Sequence, residues 1–405
     1  MKNIKQKIVA TALLLLCAVT ASAWDFEVDG IFYNELTPTT CEVTYSTIKY
    51  ESDIIIPSIV TDCGSDYNVV GIGSDAFRNC YNVTSVTIPE SVTYIKERAF
   101  EYTWLTSITI PSSVKSITGN PFGYCSSLAD FEVETNNPAY TAIDGVLFSK
   151  DTKTIVAYPA GKVKTQKIYD IPDFVATIQP GAFKGCRFDC INIPLNFTSI
   201  EENAFASCGA KSVFIPSSVT SIGAQAFYDS DIESIDIPNS VKCIGESVFA
   251  RCEKLRNVTL SSSIRVIPRE AFDECRYLSS IIIPKSVTKI EYSAFHNCEN
   301  LVEVHNRATV PQELGTWAFT VIDAFTTKRD KTLYVPMGTR EYYMGVSDWK
   351  SAFKYIKEED LSDIHDLIID VCDESNSSIY DIYGRRHYEM QNGLIIINGK
   401  KVFVK

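Results

Sequence analysis

Residues 278–298 read Leu278-Ser279-Ser280-Ile281-Ile282-Ile283-Pro284-Lys285-Ser286-Val287-Thr288-Lys289-Ile290-Glu291-Tyr292-Ser293-Ala294-Phe295-His296-Asn297-Cys298. An apolar run ends at a proline. Val287, Ile290 and Phe295 then follow at spacings of three and five residues. The same phenylalanine recurs as Phe77, Phe100, Phe122, Phe183, Phe205, Phe227, Phe249, Phe272 and Phe295, at intervals of 23, 22, 61, 22, 22, 22, 23 and 23. An isoleucine stands five residues before each: Ile72, Ile95, Ile117, Ile178, Ile200, Ile222, Ile244, Ile267 and Ile290. Proline precedes most units, at Pro89, Pro111, Pro172, Pro194, Pro216, Pro238 and Pro284, with Ser261 as the exception. Nine anchors in register define an internal repeat, and the repeat decides the fold.

Each unit reads as one coil. The alternating stretch, such as Leu105-Thr106-Ser107-Ile108-Thr109-Ile110, is a strand with one inward face. Proline has no N–H to donate and ends the strand. Val, Ile and Phe then return to the same interior. A 22–23-residue unit cannot bury its apolar face alone, so neighbours must stack around a continuous core. The period lies in the leucine-rich-repeat range, below the 33 or more residues of helical-pair solenoids. The spacing therefore predicts a β-rich solenoid of the α/β repeat class, one parallel strand per coil.

The unit resembles the BspA-like leucine-rich repeats of bacterial surface proteins of the Bacteroidota type. Ile215-Pro216-Ser217-Ser218-Val219 followed by Ser221-Ile222-Gly223-Ala224-Gln225-Ala226-Phe227 carries the likeness. Phe26-Glu27-Val28-Asp29-Gly30-Ile31-Phe32-Tyr33 resembles the family's N-terminal capping hairpin, and Ala142-Ile143-Asp144-Gly145-Val146-Leu147-Phe148 its longer, degenerate unit. Val310-Pro311, Leu333-Tyr334-Val335-Pro336 and Trp349 resemble its closing segment. The resemblance implies a solenoid capped at both ends, and adhesion to host matrix proteins or to other bacteria.

The expected organisation is a signal peptide over 1–23, an N-terminal β cap over 24–70 and a solenoid over 71–300 with irregular units at 131–170. A C-terminal repeat cap over 301–360 and a small β module over 361–405 complete it. Lys2, Lys5 and Lys7 form a basic start, Ile8 to Val19 an apolar stretch too short for a span, and Ala21-Ser22-Ala23 a cleavage site. Cleavage would take the net charge from −12 to −15. That balance argues against nucleic acid, since phosphate binding needs clustered Lys and Arg. With 45% hydrophobic and 22% charged residues, the chain is folded rather than disordered, exported and extracellular or cell-surface. In the tail, Asn392-Gly393 and Asn398-Gly399 sit among strand formers and read as hairpin turns. The tail resembles a short form of the C-terminal sorting modules of type IX export.

Of 13 cysteines, Cys80, Cys125, Cys186, Cys208, Cys252, Cys275 and Cys298 lie three residues after an anchor Phe. Thr103 and Ser230 fill the same slot elsewhere. The slot wants a small, weakly polar side chain, so a ladder of free buried thiols is expected. Cys41 and Cys63 are the best candidates for a bridge if there is one. No Cys-x-x-Cys, His-Glu-x-x-His or Gly-x-Ser-x-Gly occurs, so neither a metal, a cofactor nor an enzyme is expected. The acid pairs Glu201-Glu202 and Glu358-Glu359 read as solvated faces.

Binding is the expected work. The outward slot between the last two strand hydrophobes holds Thr87, Thr109, Glu132, Asn192, Phe214, Asp236, Thr259, Ile282 and His305. Candidate ligand-binding residues are Asn192, Phe214, Asp236, Thr259, Ile282 and His305. Phe214 and Ile282 are large apolar side chains where polar ones would do. They read either as packing against outward neighbours or, with Asp236, as anchors for a partner. His305 is expected as a solvated side chain. The partner is an extracellular protein, or in the alternative a glycan or a structural surface layer.

Overall fold

A computed structural model describes residues 24–50, 53–165, 167–321 and 331–360, with the tail strands given as backbone only. Residues 1–23, and with them the expected signal peptide, lie outside the described residues. The chain is a β-solenoid of about 12 coils, about 23 residues per turn. Each regular coil has three sides. The alternating run forms the first ladder, as in Ser280–Ile283 beside Glu303–Asn306. Residues around the conserved-register Ile form the second, as in Ser199–Ile200, Ser221–Ile222 and Cys243–Ile244. The third side is the turn that carries Phe.

That turn is set by backbone hydrogen bonding. In the coil of Phe227, Gln225, Phe227 and Asp229 donate their N–H groups to Glu246, Val248 and Ala250 of the next coil, at 2.8–2.9 Å. Between them, Tyr228 and Ser230 donate within the coil, to Gln225 and Phe227. The same alternation recurs for Ser247, Phe249 and Arg251, and for Glu270, Phe272 and Glu274. It requires a left-handed backbone on both sides of Phe: Gln225 and Asp229 at φ 54°, Ser247 at 52° and Arg251 at 60°, Glu270 at 55° and Glu274 at 56°. Each such non-glycine residue costs roughly 1–2 kcal/mol. The three intercoil bonds satisfy buried amides that would otherwise be orphaned.

Held this way, the rings stack. Phe183, Phe205, Phe227, Phe249, Phe272, Phe295 and Phe319 follow one another at centroid separations of 5.1–5.6 Å. All but Phe319 are fully buried, and it is nearly so. At the C-terminal end the stack meets Phe353 and Trp349. Trp349 lies on a short helix, Ser347–Ala352, and its indole N–H donates to Gln312 O at 2.9 Å.

The cysteine slot is a hydrogen-bond donor site. Cys125, Cys252, Cys275 and Cys298 point their thiols at the carbonyls of Phe100, Phe227, Phe249 and Phe272 in the preceding coils, at 3.0–3.2 Å. Thr103 does the same for its own coil, donating to Phe100 O at 2.8 Å. Burial pushes the Cys125 thiol up to about 11 and Cys252 up to about 12, which leaves them inert. Cys41 and Cys63 are free thiols. Cys41 is buried opposite Val69, while Cys63 occupies the apex of the hairpin Ile59–Asp62/Ser65–Ile72. Six extended residues separate Cys63 from Val69, roughly 20 Å, far beyond disulfide reach.

The 61-residue interval between Phe122 and Phe183 has a physical cause. Asn120 Oδ1 accepts the Phe122 N–H at 2.8 Å, and its amide donates to Gly181 O at 2.6 Å. A side chain thus replaces the next coil's backbone and closes a first block. The excursion that follows is a three-stranded meander, Tyr140–Ile143, Val146–Ser149 and Thr154–Ala157. Asp144 and Gly145, at φ 48° and 69°, make its first turn of the two-residue hairpin kind. Tyr158 then takes the Phe role, donating its N–H to Ala182 O and lying 5.6 Å from Phe183. Across the seam, the buried Glu101 carboxylate sits 2.9 Å from both Arg78 Nε and Lys184 Nζ. Gly185, at φ +80°, leaves room for the Tyr124 ring, which a Cβ would meet at 2.8 Å.

At the N-terminus, Phe26–Val28, Ile31–Thr37 and Thr40–Val43 form an antiparallel set that joins Ser65–Ile72 in parallel. In the tail, Gly393–Ile397 pairs antiparallel with Lys400–Val404, and the turn expected at Asn398-Gly399 lies outside the described residues.

Phe205→Ala, in mid-stack, is expected to destabilise by about 3–5 kcal/mol through a core cavity, measured by urea unfolding. A loss under about 1 kcal/mol would contradict the stacked core. Cys252→Val removes the donor to Phe227 O and is expected to cost about 1–3 kcal/mol, more than Cys252→Ser. The opposite order would mean that apolarity alone governs the slot.

Candidate functional site

The first ladder is not one unbroken sheet. Ile168–Asp170 pairs with Cys190–Asn192, Ser234–Asp236 with Asn257–Thr259, and Ser280–Ile283 opens a sheet of four strands. The outward slot is therefore divided among separate pieces of ladder. Asn192 is tied by its amide to Asp170. Phe214 lies where the ladder is reduced to an isolated bridge, Ser212 to Ser234, and is half-buried. Asp236 and Thr259 are exposed neighbours in register.

Ile282 and His305 do come together, in the longest parallel piece. Ser280–Ile283, Glu303–Asn306, Thr332–Pro336 and Tyr355–Glu359 pair in that order. Their register sets Ile282, His305, Tyr334 and Lys357 side by side on the outer face. The His305 and Tyr334 rings lie parallel, 6° apart, at a centroid distance of 4.6 Å. Lys357 Nζ sits 5.8 Å from the Tyr334 ring centre, within cation–π range.

His305 departs from the expected solvated side chain. Only 15% of its side chain is exposed, and Nδ1 is 2.8 Å from Glu359 Oε1. Its other nitrogen faces Glu303 Oε2 at 3.9 Å. Of the pair Glu358-Glu359, Glu358 is exposed as expected of a solvated face and accepts the Arg340 N–H at 3.0 Å, whereas Glu359 is partly buried against the imidazole. Proximity in space explains both, since these acids lie on the strand that closes the sheet. Tyr334 and Lys357 were missed by the outward-slot reading. Leu333-Tyr334-Val335-Pro336 repeats the apolar-x-apolar-Pro pattern and marks Tyr334 as outward, but no Pro marks Lys357.

The second histidine is placed for structure. His296 Nδ1 lies 2.8 Å from Asp273 Oδ1, while its Nε2 is buried without a partner. Burial holds the Asp273 carboxyl above its ordinary range, with His296 pulling the other way. Among the described residues no group of three or more His, Cys, Asp or Glu is arranged to hold a metal ion.

Residues 54–167 and 176–302, more than half of the chain, match the model of the BspA type leucine rich repeat region in six copies. The chain belongs to the BspA-type leucine-rich repeat family. Solenoids of this family are generally non-catalytic. The BspA-type chain is similar to the pneumococcal vaccine antigen PcpA, with 17% identity over 84% of this chain and 100% of that one, at a TM-score of 0.45. A leucine-rich repeat protein from Bacteroides ovatus is 23% identical over 83% of this chain and 100% of that one, with a TM-score of 0.42. A leucine rich cell surface protein from Faecalibacterium prausnitzii is 21% identical over 82% and 94%, at 0.33. No curated protein matches the chain. Among the described residues, no helix is long and apolar enough to cross a membrane.

Proposed function

We propose that this BspA-type protein is exported, stays at the cell surface, and works there as a non-catalytic binding protein for an extracellular protein. The row Ile282, His305, Tyr334 and Lys357 carries the reading. It offers an apolar side chain, two stacked rings and a cation on one rigid parallel register. Aromatic side chains of this kind lose little entropy on binding and anchor protein interfaces. Glu359 and Glu303 fix the imidazole before any partner arrives, and preorganisation of this sort lowers the cost of association. Asp236 and Thr259 extend the surface by one exposed pair, and Phe214 and Asn192 lie further along the same side.

The signal peptide at 1–23 supplies export, and the tail supplies attachment. The tail's resemblance to type IX sorting modules, together with its antiparallel hairpin, supports that role. A receptor-read address leaves no other physical mark on the fold.

Solid-phase binding to extracellular matrix proteins and to whole cells is expected to give a saturable signal. Tyr334→Ser/Ile282→Ser is expected to weaken it at least tenfold without lowering the melting temperature by more than a few degrees. Unchanged binding in that variant would remove the row from the function. No saturable binding to any protein would favour a structural surface layer instead. Deleting residues 361–405 is expected to move the protein from the cell fraction to the medium, and unchanged retention would rule out the tail as the anchor.

A further inference from the structure

Beyond the meander the second ladder is interrupted twice, between Thr177–Ile178 and Ser199–Ile200 and between Cys243–Ile244 and Val266–Ile267, and at the latter the sequence supplies a reason. Ser199–Ile200, Ser221–Ile222 and Cys243–Ile244 form one sheet, and Val266–Ile267, Lys289–Ile290 and Glu313–Leu314 form another. In intact rungs the residue after the Ile donates its N–H to the preceding coil's Ile carbonyl. Gly223 donates to Ile200, Gly245 to Ile222, Glu291 to Ile267 and Gly315 to Ile290, at 2.7–2.9 Å. At the second interruption that residue is Pro268, which has no N–H. The other ends of the two coils stay locked. Ser261, which stands where other units have Pro, donates its hydroxyl to Val241 O at 2.6 Å, and Ser262 and Ser263 bind Asn239 at 2.7–2.8 Å.

Coils that are pinned at a corner and unpaired along a side leave an opening. It is a cleft of about 570 Å³, within the usual size of small-ligand sites. Ile244, Val266 and Pro268 contribute apolar surface, and Lys242, Arg265 and Ser286 the polar contacts. Lys242 and Arg265 hold the same position on consecutive coils, where the neighbouring coils carry Thr220 and Thr288. Both are exposed, and among the described residues neither forms an ion pair. Like charges on adjacent rungs repel, and a chain with 50 acids and a net charge of −12 has ample means to neutralise them. Ser286 Oγ is buried with no hydrogen-bond partner, as are Ser91, Ser218 and Ser240 at the same position of other coils, so this hydroxyl belongs to the repeat and the two cations alone distinguish the cleft.

We propose that this cleft binds a sugar carrying an oxyanion, sulfate or carboxylate. Lys242 and Arg265 clamp the oxyanion through charge-assisted hydrogen bonds. Ile244, Val266 and Pro268 form the apolar floor that takes the C–H face of the ring. The site is separate from the row of Ile282 to Lys357 and does not depend on the function proposed for it.

The cleft contains its own reporter. Cys243 lines it and is exposed, whereas the other exposed thiol among the described residues is Cys63. In the full chain carrying Cys63→Ser and Cys372→Ser, the rate of Cys243 alkylation is followed against a heparin-derived sulfated disaccharide, digalacturonate and neutral maltose. Titration calorimetry with the same three probes runs in parallel. One or both anionic probes are expected to bind and to slow alkylation several-fold, while maltose does neither. The arm that responds identifies sulfate or carboxylate. Lys242→Glu/Arg265→Glu is expected to lower that affinity at least tenfold with an unchanged melting temperature. Equal protection by maltose, absence of any effect of either anion, or unchanged affinity in the charge-reversed variant would each overturn the proposal. None of these outcomes bears on protein binding by the outward row.

Discussion

Everything in this solenoid depends on where three N–H groups point in each phenylalanine turn. Residues two before Phe, at Phe, and two after it donate forward to the next coil, and those between donate inward. This alternation fixes the coil-to-coil advance, and with it the 5.1–5.6 Å ring stack and the register of the other two sides. It also explains the thiols. A Phe carbonyl in the turn is enclosed by apolar side chains, and the next coil's cysteine reaches back to it. A small donor is needed there, which only Cys, Ser or Thr provides without a larger volume.

Most of the fold was legible because side-chain identity and backbone role coincide at the apolar anchors. Ile222, Phe227 and Val219 each have one place to go, and the period shows it. The left-handed positions were not legible. Gln225, Asp229, Arg251 and Glu274 carry no glycine signature, because intercoil hydrogen bonding overrides their intrinsic preference. Asn120 was equally silent. Its role as a stop depends on the Phe122 amide and the Gly181 carbonyl, which are far apart in sequence and close in space.

The site was half legible. An outward slot is a matter of period, so Ile282, His305 and Asp236 could be placed on a face. What neighbours them is a matter of register, which requires knowing that the strand at 355–359 follows the one at 332–336. The imidazole's carboxylate partner lies 54 residues away, beyond any local pattern. Pro268 was visible as a letter but acquired meaning only when the donors at Gly245 and Glu291 showed what it withholds.

The closure at Asn120 divides the interior. One apolar cluster gathers side chains from Phe26 to Ala157, and a second from Val146 to Ile356, interleaved only through the meander. In a quasi-linear array, order spreads from each unit to its neighbours, and a seam where the ring stack stops is where that spread is weakest. The interior is thus built as two blocks, tied across the seam by polar contacts at Glu101, Asn120 and Gln179. If the array parts under thermal or chemical stress, this seam is where it is expected to part, because each block keeps an apolar interior of its own.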